Sequence, residues 1–439
     1  MNTPQLRYRV APGARVRGAI RVPGDKSISH RALMLGGIAD GETRVGGFLA
    51  SADCLATMAA MRALGVRITR PRDNEVIVQG TGKGGLQASN APLDMGNAGT
   101  AIRLSMGLLC GQRFPSTLVG DASLMQRPME RVAKPLRMMG ARIDTRDGRP
   151  PVVLHGGTTL QGIDYALPMA SAQVKSAILL AGLYAEGRTR VTEPAPTRDH
   201  TERMFDGFGV TVRRDGATVE LAGGQSLRAT SVEVPGDFSS AAFFIVAGCL
   251  AAADGLTIEG VGVNPTRTGL IDMLRLMGAQ IEVSAHEHGG PEPLADITVR
   301  ASALRGAVIP PELVPLAIDE LPILFIAAAC AEGETRVTGA GELRVKESDR
   351  LAAMAEGLAA IGVQCELLPD GILIQGGRLG GGRINSHGDH RIAMAFAMAS
   401  VRANDAIEID DVANVATSFP DFPATARSVG LELTELPTT

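Results

Sequence analysis

Tryptophan is absent from the 439 residues, tyrosine occurs three times and aromatic residues make up 3% of the chain. With little to stack bases on, and a formal net charge of −4, the composition argues against a general nucleic-acid binder. Long apolar runs are missing as well. The longest, Ala241 to Ala253, falls short of the ~18 residues of a membrane span, and the opening MNTPQLRYRV lacks the apolar core of a signal peptide. A cytoplasmic protein that binds neither membrane nor nucleic acid is expected. The five cysteines are scattered among aliphatic residues with no CxxC pair, which reads as reduced core thiols. His286 to His288 has no third ligand at metal spacing, so no metal is expected. GTGKGG at Gly80 lacks the GxxxxGK[ST] frame of a phosphate loop. Lysine is scarce too: only Lys26, Lys83, Lys134, Lys175 and Lys346 occur, which makes each compact, titratable ammonium worth inspecting.

Glycine and β-branched residues, by contrast, recur in a pattern. A helix-like segment ends in a bulky residue plus Gly and passes into a β-branched run six times, at Gly65, Gly140, Gly209, Gly278, Gly362 and Gly430. Gly in that place is a helix C-cap signal, and the alternation that follows is a strand signal. At roughly 70 residues, the spacing is longer than a solenoid repeat. Each unit reads as βαβαββ, with a first helix apolar nearly all round, as a buried helix should be, and a second that keeps a polar face. The sixth unit is one strand short and a spare strand, RYRVAP, precedes the first. The expected architecture is α/β, in two domains of three repeats. Residues 1–22 plus 237–439 would form one and residues 23–236 the other.

Each buried helix starts at a polar turn: Asp25-Lys26-Ser27, Asn97 to Thr100, Ser171-Ala172-Gln173, Asp237 with Ser239-Ser240, Asp319-Glu320, and Asp389-His390-Arg391. Helix N-termini carry unpaired N–H groups and a partial positive charge, so each can hold an anion. Six parallel starts, with Lys26, Arg31, Arg103, Lys175 and Arg391 beside them, predict a cleft for polyanionic small molecules. Like charges across that cleft would hold the empty domains apart, and bound anions would let them close.

The motifs GDKSISHR, GNAGTAIRL, GDASLMQRPM, SAQVKSA, TRDHTE, NPTRTGL, RVKESDR, DHRIAMAF and TSFPDF, in this order, resemble the 5-enolpyruvylshikimate-3-phosphate synthase family nearly end to end. GDKS, SAQVK, RDHTE and NPTR are similar to its second class, which includes many glyphosate-tolerant enzymes. The resemblance implies two inside-out α/β domains, buried parallel helices and a ligand cleft between them. It also implies a monomer without cofactor that transfers the enolpyruvyl group of phosphoenolpyruvate to shikimate 3-phosphate, with glyphosate as inhibitor.

Carried over by position, the resemblance assigns Lys26, Ser27, Arg31, Ser171, Ala172, Gln173, Arg198, Asp319 and Lys346 to shikimate 3-phosphate. Lys26, Gly99, Arg103, Arg127, Gln173, Arg350 and Arg391 would hold phosphoenolpyruvate. Asp319 matches the base for the attacking hydroxyl, and Glu347 the acid and base at C3, with Lys26 as the alternative. From the residues alone, Glu347 and Asp349 could instead be helix-start charges paired with Arg350. Thr417 stands where other members carry lysine, and Ala172 where the other class carries serine. Gly99 stands where tolerant second-class members carry alanine, which leaves room for a longer inhibitor. Two alternatives share parts of this pattern: a UDP-N-acetylglucosamine enolpyruvyl transferase, which would want a reactive cysteine near its arginines, and a non-catalytic anion-binding homologue.

Overall fold

The computed structural model describes residues 6–287 and 290–437. The chain forms two compact units. A continuous unit takes Gly24–Val234 together with residues 290–292; a split unit takes the chain up to Pro23 and nearly all that follows Pro235.

In the continuous unit, three helices with few polar positions lie inside: Lys26–Ile38, Gly99–Leu109 and Ala172–Gly182. Close backbone approach sets their spacing. A Cβ on Gly107 would stand 2.1 Å from the Ala177 carbonyl oxygen, so only glycine fits where the second helix meets the third. Three sheets cover these helices. The first orders Leu227–Arg228, Ala39–Gly46, Glu75–Thr81 and Arg67–Arg72, with Ser231–Glu233 also on Ala39–Gly46. The second orders Leu93–Asp94, Ser116–Val119, Arg149–Leu154 and Ile143–Arg146. The third orders Asp164–Ala166, Arg188–Thr192, Thr218–Ala222 and Val212–Asp215. Each joins a parallel pairing, double in the first sheet, to an antiparallel hairpin, the result of repeating one strand–helix–strand–helix–hairpin module.

The split unit repeats the plan around Phe238–Ala251, Leu321–Cys330 and His390–Ala399, which pack against one another. The first two are apolar around their circumference because other helices and sheet faces surround them on every side. Two of the three sheets take strands from the N-terminus. Gly18–Arg21 runs parallel to Leu256–Gly262, a pairing that the hydrophobic pattern does not announce. Leu6–Val10 lies between Ile407–Asp410 and Leu433–Pro437, antiparallel to both, with Tyr8 opposite Ile409 on one side and Glu435 on the other. Both units are thus inside-out α/β domains, helices within and sheets outside. No helix among the described residues is long and apolar enough to cross a membrane.

Candidate active site

The polar side chains singled out above gather at the starts of the buried helices, in one cluster per unit. In the continuous unit, Asp25 caps the first helix by accepting from the Ile28 N–H at 2.9 Å, which puts Lys26 and Ser27 in its first turn. Lys26 is ion-paired with Asp53, a buried carboxylate in the first turn of the Ala52–Ala63 helix. The sequence offered no sign of this partner, since a Ser-capped start with an acidic first turn is ordinary helix chemistry.

One turn beyond Lys26, Arg31 is buried and fully engaged. It donates from Nε to Thr201 Oγ1 at 2.7 Å, from Nη2 to Ser176 Oγ at 2.9 Å and from Nη1 to the Ser27 carbonyl at 2.9 Å. Burial lowers its pKa to about 10; Glu202 and Asp25 oppose the shift, and the charge of Arg198 adds to it. The guanidinium is therefore cationic at neutral pH, with a second cation nearby.

The second and third helix starts share another network. Gln173 accepts from Arg103 Nη1 at 2.7 Å and donates to Thr100 Oγ1 at 3.0 Å. Arg127 donates to Asn97 Oδ1. Both guanidiniums press on Gly99: a Cβ there would meet Arg127 Nη1 at 2.9 Å and Arg103 Nη1 at 3.1 Å. Ser171 caps the third helix by accepting from the Val174 N–H at 3.5 Å, and Ala172 begins it.

Lys175 does not join this set. Grouped with the cleft cations by sequence, it is fully buried and bound to Glu193 and Glu202, each at 2.8 Å. Position along the helix could not reveal partners 18 and more residues away that fold back over it.

In the split unit the centre is Arg350, 1% exposed. Nε meets Asp389 at 2.8 Å, Nη1 meets Asp319 at 3.1 Å and Nη2 meets Glu347. Burial works against this charge, but Asp389, Glu347 and Asp319 outweigh it and hold the pKa above the ordinary arginine value. Asp319, just before the Leu321–Cys330 helix, also faces Lys346 at 3.4 Å and Arg391 at 3.9 Å. Asp389 caps the sixth buried helix by accepting from the Arg391 N–H at 2.9 Å. Glu347 pairs with Arg350 as helix-start chemistry allows, whereas Asp349 caps the outer helix and pairs with Arg344 at 2.8 Å. Thr417 is tied to the Asn414 carbonyl at 2.7 Å, and Asn414 in turn donates to the Gly388 carbonyl beside Asp389. Thr417 therefore lies near the start of the sixth buried helix.

Asp319, Glu342, Glu347 and Asp389 thus surround Lys346, Arg350 and Arg391, and Glu320 lies 3.6 Å from Arg267 and 3.9 Å from Arg391.

The cysteines bear on the rival enolpyruvyl transferase. Burial pushes the thiols of Cys54, Cys110, Cys249 and Cys330 up to about 12, where almost no thiolate forms at neutral pH. His286 pairs with Asp296 at 3.0 Å; His288 lies outside the described residues.

The family model described as EPSP synthase (3-phosphoshikimate 1-carboxyvinyltransferase) matches residues 10–425. The chain belongs to the EPSP synthase family. A 3-phosphoshikimate 1-carboxyvinyltransferase from Alkalilimnicola ehrlichii is 59% identical over 431 residues, covering 98% of this chain and 97% of the relative. One from Acidithiobacillus ferrooxidans is 60% identical over 427 residues, covering 97% and 98%. Among solved structures, an EPSP synthase from Acinetobacter baumannii superposes with a TM-score of 0.88 at 51% identity, covering 98% of this chain and all of that one. The enolpyruvyl transferase NikO from Streptomyces tendae shares the fold, with a TM-score of 0.81 at 17% identity and full coverage of both chains. Membership of the EPSP synthase family fits the clusters, since both are rich in the guanidinium forks that pair with carboxylates and phosphates.

Proposed function

We propose that the residues matched by resemblance, which belong to both clusters, carry out the reaction of the family. The reaction is that of the family: the carboxyvinyl group of phosphoenolpyruvate passes to the 5-hydroxyl of shikimate 3-phosphate and phosphate leaves, a step of aromatic amino-acid biosynthesis. Shikimate 3-phosphate is assigned to Lys26, Ser27, Arg31, Ser171, Ala172, Gln173 and Arg198, with Asp319 and Lys346 from the other unit. Phosphoenolpyruvate is assigned to Lys26, Gly99, Arg103, Arg127 and Gln173, with Arg350 and Arg391.

The hydroxyl oxygen bonds to C2 of the enol while C3 gains a proton, giving a tetrahedral ketal phosphate. C3 then loses a proton as the bond between C2 and the phosphate oxygen breaks, which restores the vinyl group. Asp319 takes the hydroxyl proton; Glu347 donates and later removes the methyl proton, with Lys26 as the alternative donor. The observation that carries these roles is the sharing of Arg350 among three carboxylates. Of the three, Glu347 has the most exposed side chain, 23% against 13% for Asp319 and 0% for Asp389. An incoming substrate carboxylate that takes Arg350 Nη2 displaces Glu347 first.

Phosphate release is the test, measured with both substrates in a metal-chelating buffer and again with UDP-N-acetylglucosamine as acceptor. Release with the shikimate ester alone is expected, falling at least ~100-fold in Asp319→Asn and in Glu347→Gln. Release with only the UDP-sugar, or full activity in both variants, would overturn the assignment. The same reading makes glyphosate an inhibitor at the Gly99, Arg103 and Arg127 group, and makes the working form a cytoplasmic monomer, which sedimentation at assay concentration checks.

A further inference from the structure

The split unit also carries an open pocket on its surface, lined by two exposed arginines and by none of the site residues described above. It has a volume of about 540 Å³ and lies between the start of the strand Gly18–Arg21, the hairpin strands Leu256–Gly262 and Leu294–Arg300, and the end of the Phe422–Ser428 helix. Arg17 and Arg300 both line it. Neither side chain makes a hydrogen bond or ion pair among the described residues. Thr257 and Thr298 stand on neighbouring strands with their hydroxyls 3.0 Å apart, and Ser428 adds a third hydroxyl. The acidic lining residue, Asp254, is likewise unpaired.

Arg300 Nη1 lies beside Gly255, within ordinary contact distance (3.6 Å) of where a Cβ would stand. The Arg17 N–H donates to the Val429 carbonyl at 3.2 Å, next to Ser428. Two forks, three hydroxyls and one carboxylate leave one net positive charge. That combination suits an anion which accepts from the guanidiniums and offers hydroxyl donors to Asp254 and the threonines.

We propose that this cavity is a binding site for a small phosphate monoester that also carries hydroxyl groups, separate from the catalytic clusters. The phosphate sits between Arg17 and Arg300 and the ligand's hydroxyls meet Asp254, Thr257 and Thr298.

Phenylglyoxal labelling of the full chain, read peptide by peptide by mass spectrometry, tests it with glycerol 3-phosphate as probe. The probe should slow labelling of Arg17 and Arg300 at least threefold, while sodium chloride at equal ionic strength should not. Unprotected labelling at both residues overturns the site, and protection by chloride as well reduces it to general screening. Equilibrium dialysis supplies the second arm: Arg17→Gln/Arg300→Gln should lose one bound glycerol 3-phosphate per chain while phosphate release by the enzyme stays at the wild-type rate. Unchanged stoichiometry in that variant also overturns the proposal. Because peptides with Arg350 and Arg391 are read in the same labelling experiment, failure here is distinguishable from failure of the catalytic assignment.

Discussion

A methyl group added at Gly99 would point at two guanidiniums, those of Arg127 and Arg103, at 2.9 and 3.1 Å. Both contacts are the far ends of flexible side chains, so a shift of a few tenths of an ångström accommodates the methyl and the fold survives. The space between the arginines shrinks, which penalises a longer inhibitor more than phosphoenolpyruvate. Gly99→Ala should weaken glyphosate inhibition by tenfold or more, about 1.4 kcal/mol, with a smaller rise in the KM for phosphoenolpyruvate; inhibition that does not change would refute it. A second residue sets acid sensitivity. His30, between Lys26 and Arg31, is buried with Nδ1 2.8 Å from Thr57 Oγ1. Burial, then the charges of Lys26 and Arg31, lower its pKa to about 3. The unfolded ring therefore binds a proton that the folded one refuses, and stability falls as pH drops below about 6.5 toward 3. Between pH 6.5 and pH 5 this ring alone removes about 2 kcal/mol. Urea unfolding at the two pH values should show a shallower loss in His30→Asn, and an equal loss would contradict the burial argument.

Among the elements, the segment from Glu193 to Thr197 is held from below. Lys175 reaches up from the third buried helix to Glu193 and Glu202, Thr197 donates to Glu193, and Arg214 approaches Glu202 at 3.4 Å. Arg198 follows directly on this clamp, so the clamp positions a cation assigned to the substrate. Lys175→Met leaves two buried carboxylates short of a partner and should cost about 3–5 kcal/mol. Replacing Glu193 by Gln and Glu202 by Met as well should recover most of that in a urea melt, yet leave the KM for shikimate 3-phosphate raised. A recovered KM would mean that the clamp only supports the fold. The starts of all six buried helices were legible in the sequence, because a polar cap before an apolar run is local information. What each charge pairs with was not. Arg350 meets Asp319 and Asp389, 31 and 39 residues away on either side, and Lys175 meets glutamates on later elements. Such pairs depend on which helix starts adjoin, a property of the packed unit and not of any one stretch of chain.

As a whole, the molecule is not two beads on a string. The continuous unit draws its sheets from within Gly24–Val234, so a fragment of residues 24–234 should melt cooperatively by circular dichroism. Residues 235–439 alone should not, because two sheets of the split unit would lack Gly18–Arg21 and Leu6–Val10. Fusing residues 1–23 to that fragment should restore a cooperative transition. A cooperative melt without them would show that those strands are dispensable. The six-fold module was readable from the glycine closures, since helix ends repeat visibly. The role of Gly18–Arg21 was not, because a four-residue edge strand has too short a pattern to declare its partner.

The long reach of the first strand sets a schedule for synthesis. Arg7 binds Asp410 across 403 residues of chain, and at ~5–20 residues per second the ribosome needs on the order of 20–80 s to make that partner. Through that interval the side chains of Tyr8 and Val10 have no sheet to enter, while the continuous unit can already be complete. The first strand to leave the ribosome waits for the last sheet to be finished.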